Sequence, residues 1–499
     1  MSAQRRSGVL MPVFSLPGEW GIGCFSRQAE RFIEQLAEAG QTIWQILPLG
    51  PTGFGDSPYQ SFSTFAGNPY FIDLDQLVDQ GLLTRGELLE FDWGADATRV
   101  DYGALHASRD RALRLAHSRD AGFSGEADYR TFAAPAANWL NEFALFMSIK
   151  RAQGEQAWTQ WPEPLRRRDP QALDRFRDQY ADELAYQHWV QWQFDRQWHR
   201  LHAVATDAGV QVLGDLPIYV AMDSADAWAH PELFDLDDDL LPREVSGVPP
   251  DGFSAAGQLW GNPLYDWQVH KRQHFAWWIE RLRHQFALVD VLRLDHFRGL
   301  ESYYAIRYGA PDASLGRWLP GPGRDFLDTV SAELAGLPLI AEDLGYLTDA
   351  VRTLRASAHL PGMQIIQFAF DSREGAEYWP HNFVRDTVVY TGTHDNPTLQ
   401  QWFATLSPAD QLRAHTYLNN WWTPPDQLHW DFIVEALRSV ADTCIVPMPD
   451  YLGLGAEGRI NTPSTSQGNW TWRMTTDAFT PDLVSRIASL TSLVERSDP

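Results

Sequence analysis

Short apolar runs recur along the chain. "TIWQILPLG" (42–50), "VQVLGDLPIYV" (210–220), "LVDVLRLDHF" (288–297), "LPLIAEDLG" (337–345), "GMQIIQFAFD" (362–371), "TVVYTGTHDN" (387–396) and "DTCIVPMPDYLG" (442–453) are rich in Ile, Val and Leu. Runs this continuous suit strands covered on both faces, as in a parallel sheet. "NPYFIDLDQL" (68–77) is a weaker eighth candidate. Helical patterns fill the intervals. Ser26 can cap a helix whose Ala29, Phe32, Ile33 and Leu36 share one face and which ends at Gly40. Thr348 stands likewise before "DAVRTLRASA", with Val351 and Leu354 on one face. Strands alternating with helices predict an α/β chain closed as a (β/α)8 TIM barrel.

Polar residues fall at one end of these runs. "LGD", "RLD", "AED" and "THD" put Asp215, Asp295, Glu342 and Asp395 each at the C-terminal end of a different run. In a parallel barrel those ends converge on one face, where active sites are built. One carboxylate there could be a helix cap or half of an ion pair. Four of them, with Arg293 and His394 alongside, point to a site. Such clusters either bind metal or divide into acid and nucleophile for glycosidic cleavage. None of the fifteen His forms an H-x-H pair and the "WHRLH" pair lies in a helical stretch, so metal hydrolysis ranks second. Arg293, two residues before Asp295 on the same strand face, is expected to hold that carboxylate ionised.

Composition trims the alternatives. A formal charge of −25 disfavours nucleic acid, which needs concentrated cations. The basic cluster "LRRRD" (165–169) reads as a solvated helix end or loop. No stretch reaches the apolar length of a membrane span. The N-terminal "MSAQRRSGVLMPVFSLPGEW" mimics a leader, but Pro12 and Pro17 interrupt it and no small-residue cleavage site follows. Cys24 and Cys444 alone make no disulfide framework, which predicts a cytoplasmic protein. The 22 Trp can serve both a core and the apolar faces of ligands.

The set "GDSPYQ" (55–60), "GDLPIYV" (214–220), "LRLDHFRG" (292–299), "IAEDLG" (340–345) and "TGTHDN" (391–396) strongly resembles the amylomaltases, disproportionating 4-alpha-glucanotransferases of glycoside hydrolase family 77. The resemblance runs from about residue 12 to about residue 475. It implies an alpha-amylase-like barrel with inserted helices, needing no cofactor or metal. The donor it implies is maltodextrin, amylose or another starch-derived glucan, and the acceptor glucose or a malto-oligosaccharide. By the matching positions Asp295 is the nucleophile, Glu342 the general acid/base and Asp395 the transition-state stabiliser. Ser57, Tyr59, Asp215, Arg293, His296, Asp371 and His394 are the implied sugar contacts. A hydrolytic alpha-glucosidase would share the catalytic set, and products would tell the two apart.

Residues 90–205, with "LNEFALFMSIKRAQ" and "DELAYQHWVQWQFDRQWHRLHAVATDAG", read as a helical insertion after the second strand of a single catalytic barrel spanning 1–499. About 47 residues follow the last strand, too few for the β-sandwich that amylases append. Two irregular stretches read as lids: 244–267, with Trp260 as substrate contact, and 458–473, where the resemblance implies Asn461 as a ligand. The family commonly has Gly where this chain has Ser464, which puts that loop's turn geometry in question.

Overall fold

The computed structural model describes residues 5–250, 256–345, 347–465 and 467–497. Eight strands run parallel: β1 Arg6–Leu10, β2 Ile43–Gln45, β3 Gln211–Pro217, β6 Val291–Asp295, β9 Leu339–Ala341, β10 Gly362–Ile365, β11 Thr387–Tyr390 and β12 Thr443–Pro447. Their order is β10-β11-β12-β1-β2-β3-β6-β9. The seam between β9 and β10 is drawn together by Ala341 N–H donating to Pro361 O (2.9 Å) and Met363 N–H donating to Asp343 Oδ1 (2.8 Å). The result is the expected (β/α)8 barrel. Strand residues such as Val9, Trp44, Leu292, Val389 and Ile445 are almost wholly excluded from solvent.

The two helices with clear start signals form as their sequences require. Arg27–Glu38 is capped by the Ser26 side chain, buries Ala29, Phe32, Ile33 and Leu36, and stops before Gly40 at φ +68°. Asp349–Ser357 is capped by Thr348 and buries Val351 and Leu354.

The eighth strand is not where its apolar content suggested. Residues 68–77 form a short 3-10 turn, Pro69–Phe71, and the start of the helix Leu74–Asp79. Asn68 and Asp73 cap these two turns through their side chains, so capping chemistry outweighed the apolar run. The missing strand is β1, within the segment that mimics a leader. It pairs with β12 and β2, and Gly8 is required there because a Cβ would lie 2.4 Å from the Ile43 carbonyl oxygen.

Between β2 and β3 the chain is mainly helical, with long helices at Tyr102–Ser118, Ala127–Ala152 and Ala181–Asp207. Trp158, Trp189, Trp192 and Trp198 are fully buried here. The basic cluster at 165–169 is spent locally: Arg167 pairs with Glu163 (3.2 Å), and Arg168 pairs with Glu142 (2.8 Å) and stacks on Trp228.

Residues 244–267 are not irregular throughout. β4 Glu244–Val248 and β5 Gln258–Pro263 pair with each other, and β4 pairs with β7 Ser302–Arg307, which pairs with β8 Arg317–Pro320. The order β5-β4-β7-β8 makes a small antiparallel sheet from insertions after β3 and β6. Backbone pairing with a strand far along the chain overrides the local Gly and Pro content, and a shift of register between Val245 and Gly247 absorbs the irregularity. Residues 251–255 of this stretch, and residue 466 of 458–473, lie outside the described residues. No described helix is long and apolar enough to cross a membrane.

Candidate active site

Register sets the heart of the site. β3 and β6 pair so that Asp215 lies beside Arg293 and Pro217 beside Asp295. Arg293 Nη1 donates to both Asp215 oxygens at 2.7 and 2.8 Å, while its Nη2 lies 3.0 Å from Asp295 Oδ1. The Asp215 side chain is wholly buried and that of Asp295 is 30% exposed. β6 and β9 pair through Leu294 and Ala341, and Glu342 N–H extends the ladder to Leu294 O (3.1 Å).

The turn after β6 presents the next group. His296 sits in the left-handed region at φ 54°, unusual for a residue with a side chain, and its N–H donates to Glu342 Oε2 (2.8 Å). Leu344 N–H holds the other oxygen at 2.9 Å. The Glu342 carboxylate is thereby fixed one residue from Asp295. The His296 ring is buried, and its Nε2 meets no hydrogen-bond partner among the described residues. Burial, helped by Arg298, pushes its pKa down to about 3, so the ring is neutral. Trp260, on β5, meets it edge-on at 4.8 Å between ring centres.

The opposite wall comes from β2 and β11. Tyr59 O–H donates to Asp215 Oδ2 (2.7 Å), and its ring stacks on His394 at 5.2 Å. Ser57 Oγ accepts from Tyr59 N–H at 3.3 Å and shapes that turn. His394 Nε2 lies 3.3 Å from Asp395 Oδ1, and Asn461 Nδ2 donates to the same oxygen at 2.6 Å. The stretch 458–473 therefore touches Asp395 through Asn461. Two of its residues were missed from sequence. Trp470 closes an aromatic trio with Tyr59 and His394, and Arg459 donates to Asn461 O (2.9 Å) and Asp395 O (3.2 Å). A Trp inside the Gly- and Asn-rich "QGNWTWR" was a readable signal for the first. Ser464 adopts φ +62°, the conformation that Gly adopts without strain.

Asp371, in the segment after β10, is held by a neighbour in its own turn. Its carboxylate is gripped by Arg373, at 2.9 and 3.1 Å from Nε and 2.5 Å from Nη2, which holds its pKa below the usual range. The electrostatics of Asp295 also differ from expectation. Asp215 takes both bonds from one terminal nitrogen of Arg293, leaving Asp295 a share of one guanidinium. Burial, with Asp215, Glu342 and Asp395 adding repulsion, pushes Asp295 up to about 8 against the pull of Arg293. Asp295 is thereby biased toward its protonated form. Burial likewise lowers the pKa of His394 and raises that of Tyr59, so Tyr59 remains a donor.

Carboxylates gathered beside neutral donors are a chemistry that glycosidic cleavage can use. The chain's relatives agree. The family model described as 4-alpha-glucanotransferase, glycoside hydrolase family 77, matches residues 11–478. The chain belongs to this family. It is 44% identical over 500 residues to a 4-alpha-glucanotransferase of Streptococcus pneumoniae, covering 99% of this chain and 98% of the relative. It is 42% identical to that of Thermus thermophilus, covering 99% and 100%. Among solved structures, the amylomaltase from Streptococcus agalactiae in complex with acarbose superposes with a TM-score of 0.95 at 38% identity, covering 99% of this chain and 100% of that one. As a member, the chain is a glycosyl-transferring enzyme, a 4-alpha-glucanotransferase.

Proposed function

We propose that this enzyme moves segments of alpha-1,4-glucan from a maltodextrin, amylose or starch-derived donor to the 4-hydroxyl of glucose or a malto-oligosaccharide, by a retaining double displacement. Glu342 protonates the glycosidic oxygen as Asp295 attacks the anomeric carbon, giving a glycosyl-Asp295 ester. Glu342, now a base, takes the proton of the acceptor hydroxyl, whose oxygen displaces Asp295. Asp395 steadies the positively charged transition state from the opposite wall. Tyr59, Asp215, Arg293, His296 and His394 surround the sugar at the cleavage point, with Ser57 shaping the turn. Asp371, held by Arg373, belongs to a more distant contact.

The observation that carries this reading is the bond from His296 N–H to Glu342 Oε2, which sets an acid/base carboxylate beside the residue following a carboxylate on Arg293. Attack needs ionised Asp295 and protonated Glu342. Arg293, in contact with Asp295, favours its ionised form at the moment of attack. The chain is read as one catalytic barrel over 1–499, with 90–205 as an inserted helical region and 244–267 and 458–473 as covers. With two buried, unpaired cysteines it suits the reducing cytoplasm.

Glu342→Gln offers the decisive test. On a glucosyl donor whose leaving group needs no proton, the first step proceeds and the second lacks its base, so intact-protein mass spectrometry should show a glycosyl adduct. Full turnover with no adduct would remove Glu342 from its role. Maltotriose given to the wild type should yield longer oligosaccharides; chain shortening alone would make the enzyme a hydrolase.

A further inference from the structure

Trp421 and Trp422 are 51% and 80% exposed, although much of the chain's Trp content is buried. We propose that the turn carrying Trp421 and Trp422, with the cleft that begins at Asp426, is a second binding site for alpha-1,4-glucan chains, outside the catalytic pocket. The proposal rests on such glucans being the substrate.

The turn is braced. The helix Pro408–Leu418 ends at Asn419 in the left-handed conformation, and the Asn420 side chain then ties the turn together. Asn420 Oδ1 accepts from Trp422 N–H (3.1 Å) and Thr423 N–H (3.3 Å), while its Nδ2 donates to Thr423 Oγ1 (2.6 Å) and Asp431 Oδ2 (2.9 Å). His415 stacks on Trp421 at 5.2 Å and 22°, and its Nδ1 lies 2.8 Å from Asn420 O. Pro424 and Pro425 stiffen the exit. Indoles held outward in this way are preorganised, so binding to them costs little ordering.

The turn belongs to the crossover between β11 and β12, the one that carries Asp395, and it precedes the helix His429–Arg438 that leads back toward β12. It therefore lies toward the catalytic end of the barrel. Four residues beyond Trp422, within about 14 Å of extended chain, Asp426 opens a cleft of about 480 Å³ also lined by His429, Trp430, Asp482 and Arg486. Arg486 lies over the Trp430 ring at 3.7 Å. Carboxylates, an imidazole and a guanidinium are partners for hydroxyl groups, and indole faces suit the apolar faces of pyranose rings. A glucan chain carries both.

Other occupants fit less well. A polyanion is repelled by a chain of formal charge −25. A second copy needs about 800 Å² per partner, whereas the two indoles offer roughly 300 Å². A neutral, hydroxyl-rich polymer meets neither objection.

The test compares wild type, Trp422→Ala and Trp421→Ala/Trp422→Ala in native gels containing soluble amylose, beside kinetics on amylose and on maltotriose. The double variant should lose most of the amylose-dependent retardation, with Kd at least fivefold higher. KM for amylose should rise at least threefold, and kcat/KM for maltotriose should stay within twofold. Trp422→Ala, whose side chain lies outside the brace, should show the same direction with an unchanged melting temperature. Unretarded wild type, or a double variant retarded like wild type, overturns the proposal. So does a parallel fall on maltotriose, which would place the turn in the catalytic site, or loss of a wild-type dimer in sedimentation, which would assign the patch to a second copy. Failure of the wild type to disproportionate maltotriose would instead sink the substrate reading itself.

Discussion

The two walls of the candidate pocket are held by different means. On the wall made by β3, β6 and β9, Asp215, Arg293, Asp295 and Glu342 sit on adjoining strands or one residue beyond, and ladder register decides which side chains meet. On the other wall, Asp395 lies five residues past the end of β11, half exposed at 46%, and is positioned by loop partners: Asn461, His394 and Arg459. The first wall buries charge and depends on exact pairing. The second trades that rigidity for access, which suits the sugar contact proposed for Asp395.

The largest expected effect sharpens the role of the rigid wall. Asp295→Asn, nearly isosteric, should lower turnover more than about a thousandfold, or about 4 kcal/mol of barrier, because the proposed covalent step is lost. Stability should move the other way. The folded state raises the Asp295 pKa, so between about 4 and about 8 it holds a proton that the unfolded chain has released, and stability falls as pH rises through that window. Asp295→Asn should remove part of that fall, read as a smaller drop in melting temperature from pH 5 to pH 9. An identical pH dependence would show that Asp295 ionises at its ordinary value.

Next comes Asp215→Ala, which leaves Arg293 buried with Asp295 as its remaining described ion-pair partner. Breaking a buried pair from one side typically costs about 3 to 5 kcal/mol, and a denaturant titration should show a loss near the lower figure. A loss under about 1 kcal/mol, the range of surface pairs, would mean that the register-built wall is not where charge is tightly held.

The contrast between walls also explains what could be read in advance. β3, β6 and β9 announce themselves because continuous Val, Ile and Leu end in a charged residue, and parallel topology converts that into convergence. β1 did not, since five residues that begin at Arg6 and contain Gly8, preceded by Arg5 and followed soon after by Pro12, look like anything but a barrel strand. The decoy at 68–77 has the apolar content but starts with Asn-Pro and contains Asp73, both helix-start signals. Strand spacing showed that Arg293 and Asp295 share a face. It could not show that Asp215, 78 residues earlier, claims two of the guanidinium's bonds. Arg459 escaped for a similar reason: its work is done through backbone oxygens, which leave no trace in sequence.

On the loop-built wall a smaller effect is expected. Asn461→Ala removes the donor at 2.6 Å from Asp395 Oδ1 while leaving the Asn461 N–H bond to His394 O available. Turnover on maltotriose should fall about tenfold, the scale of one lost charge-assisted hydrogen bond of about 1.5 kcal/mol, with the melting temperature nearly unchanged. A large loss of stability with unaltered turnover would make Asn461 a strut of the loop and not a support for Asp395.

The smallest effect concerns why such a site transfers sugar. Water stands at roughly 55 M, so a glycosyl-enzyme survives only if acceptor binding is favoured and productive water attack limited. Trp260 is placed for that work. Strand pairing of β5 with β4 carries it, its ring meets His296 edge-on, and His296 adjoins the proposed nucleophile. Removing the indole opens that side of the pocket and takes away a face for the acceptor sugar, yet touches none of the proposed catalytic carboxylates. Trp260→Ala should therefore lower the ratio of transfer to hydrolysis several-fold, with a modest loss of overall rate, when new reducing ends are counted against longer oligosaccharides from maltotriose. Trp139→Ala, in the helical region between β2 and β3, should leave the ratio unchanged. Because Trp260 rides on a paired sheet and not on a free loop, a ratio unchanged in Trp260→Ala would assign protection of the intermediate to the loop-built wall, where Trp470 packs at a tilt against Tyr59 and His394.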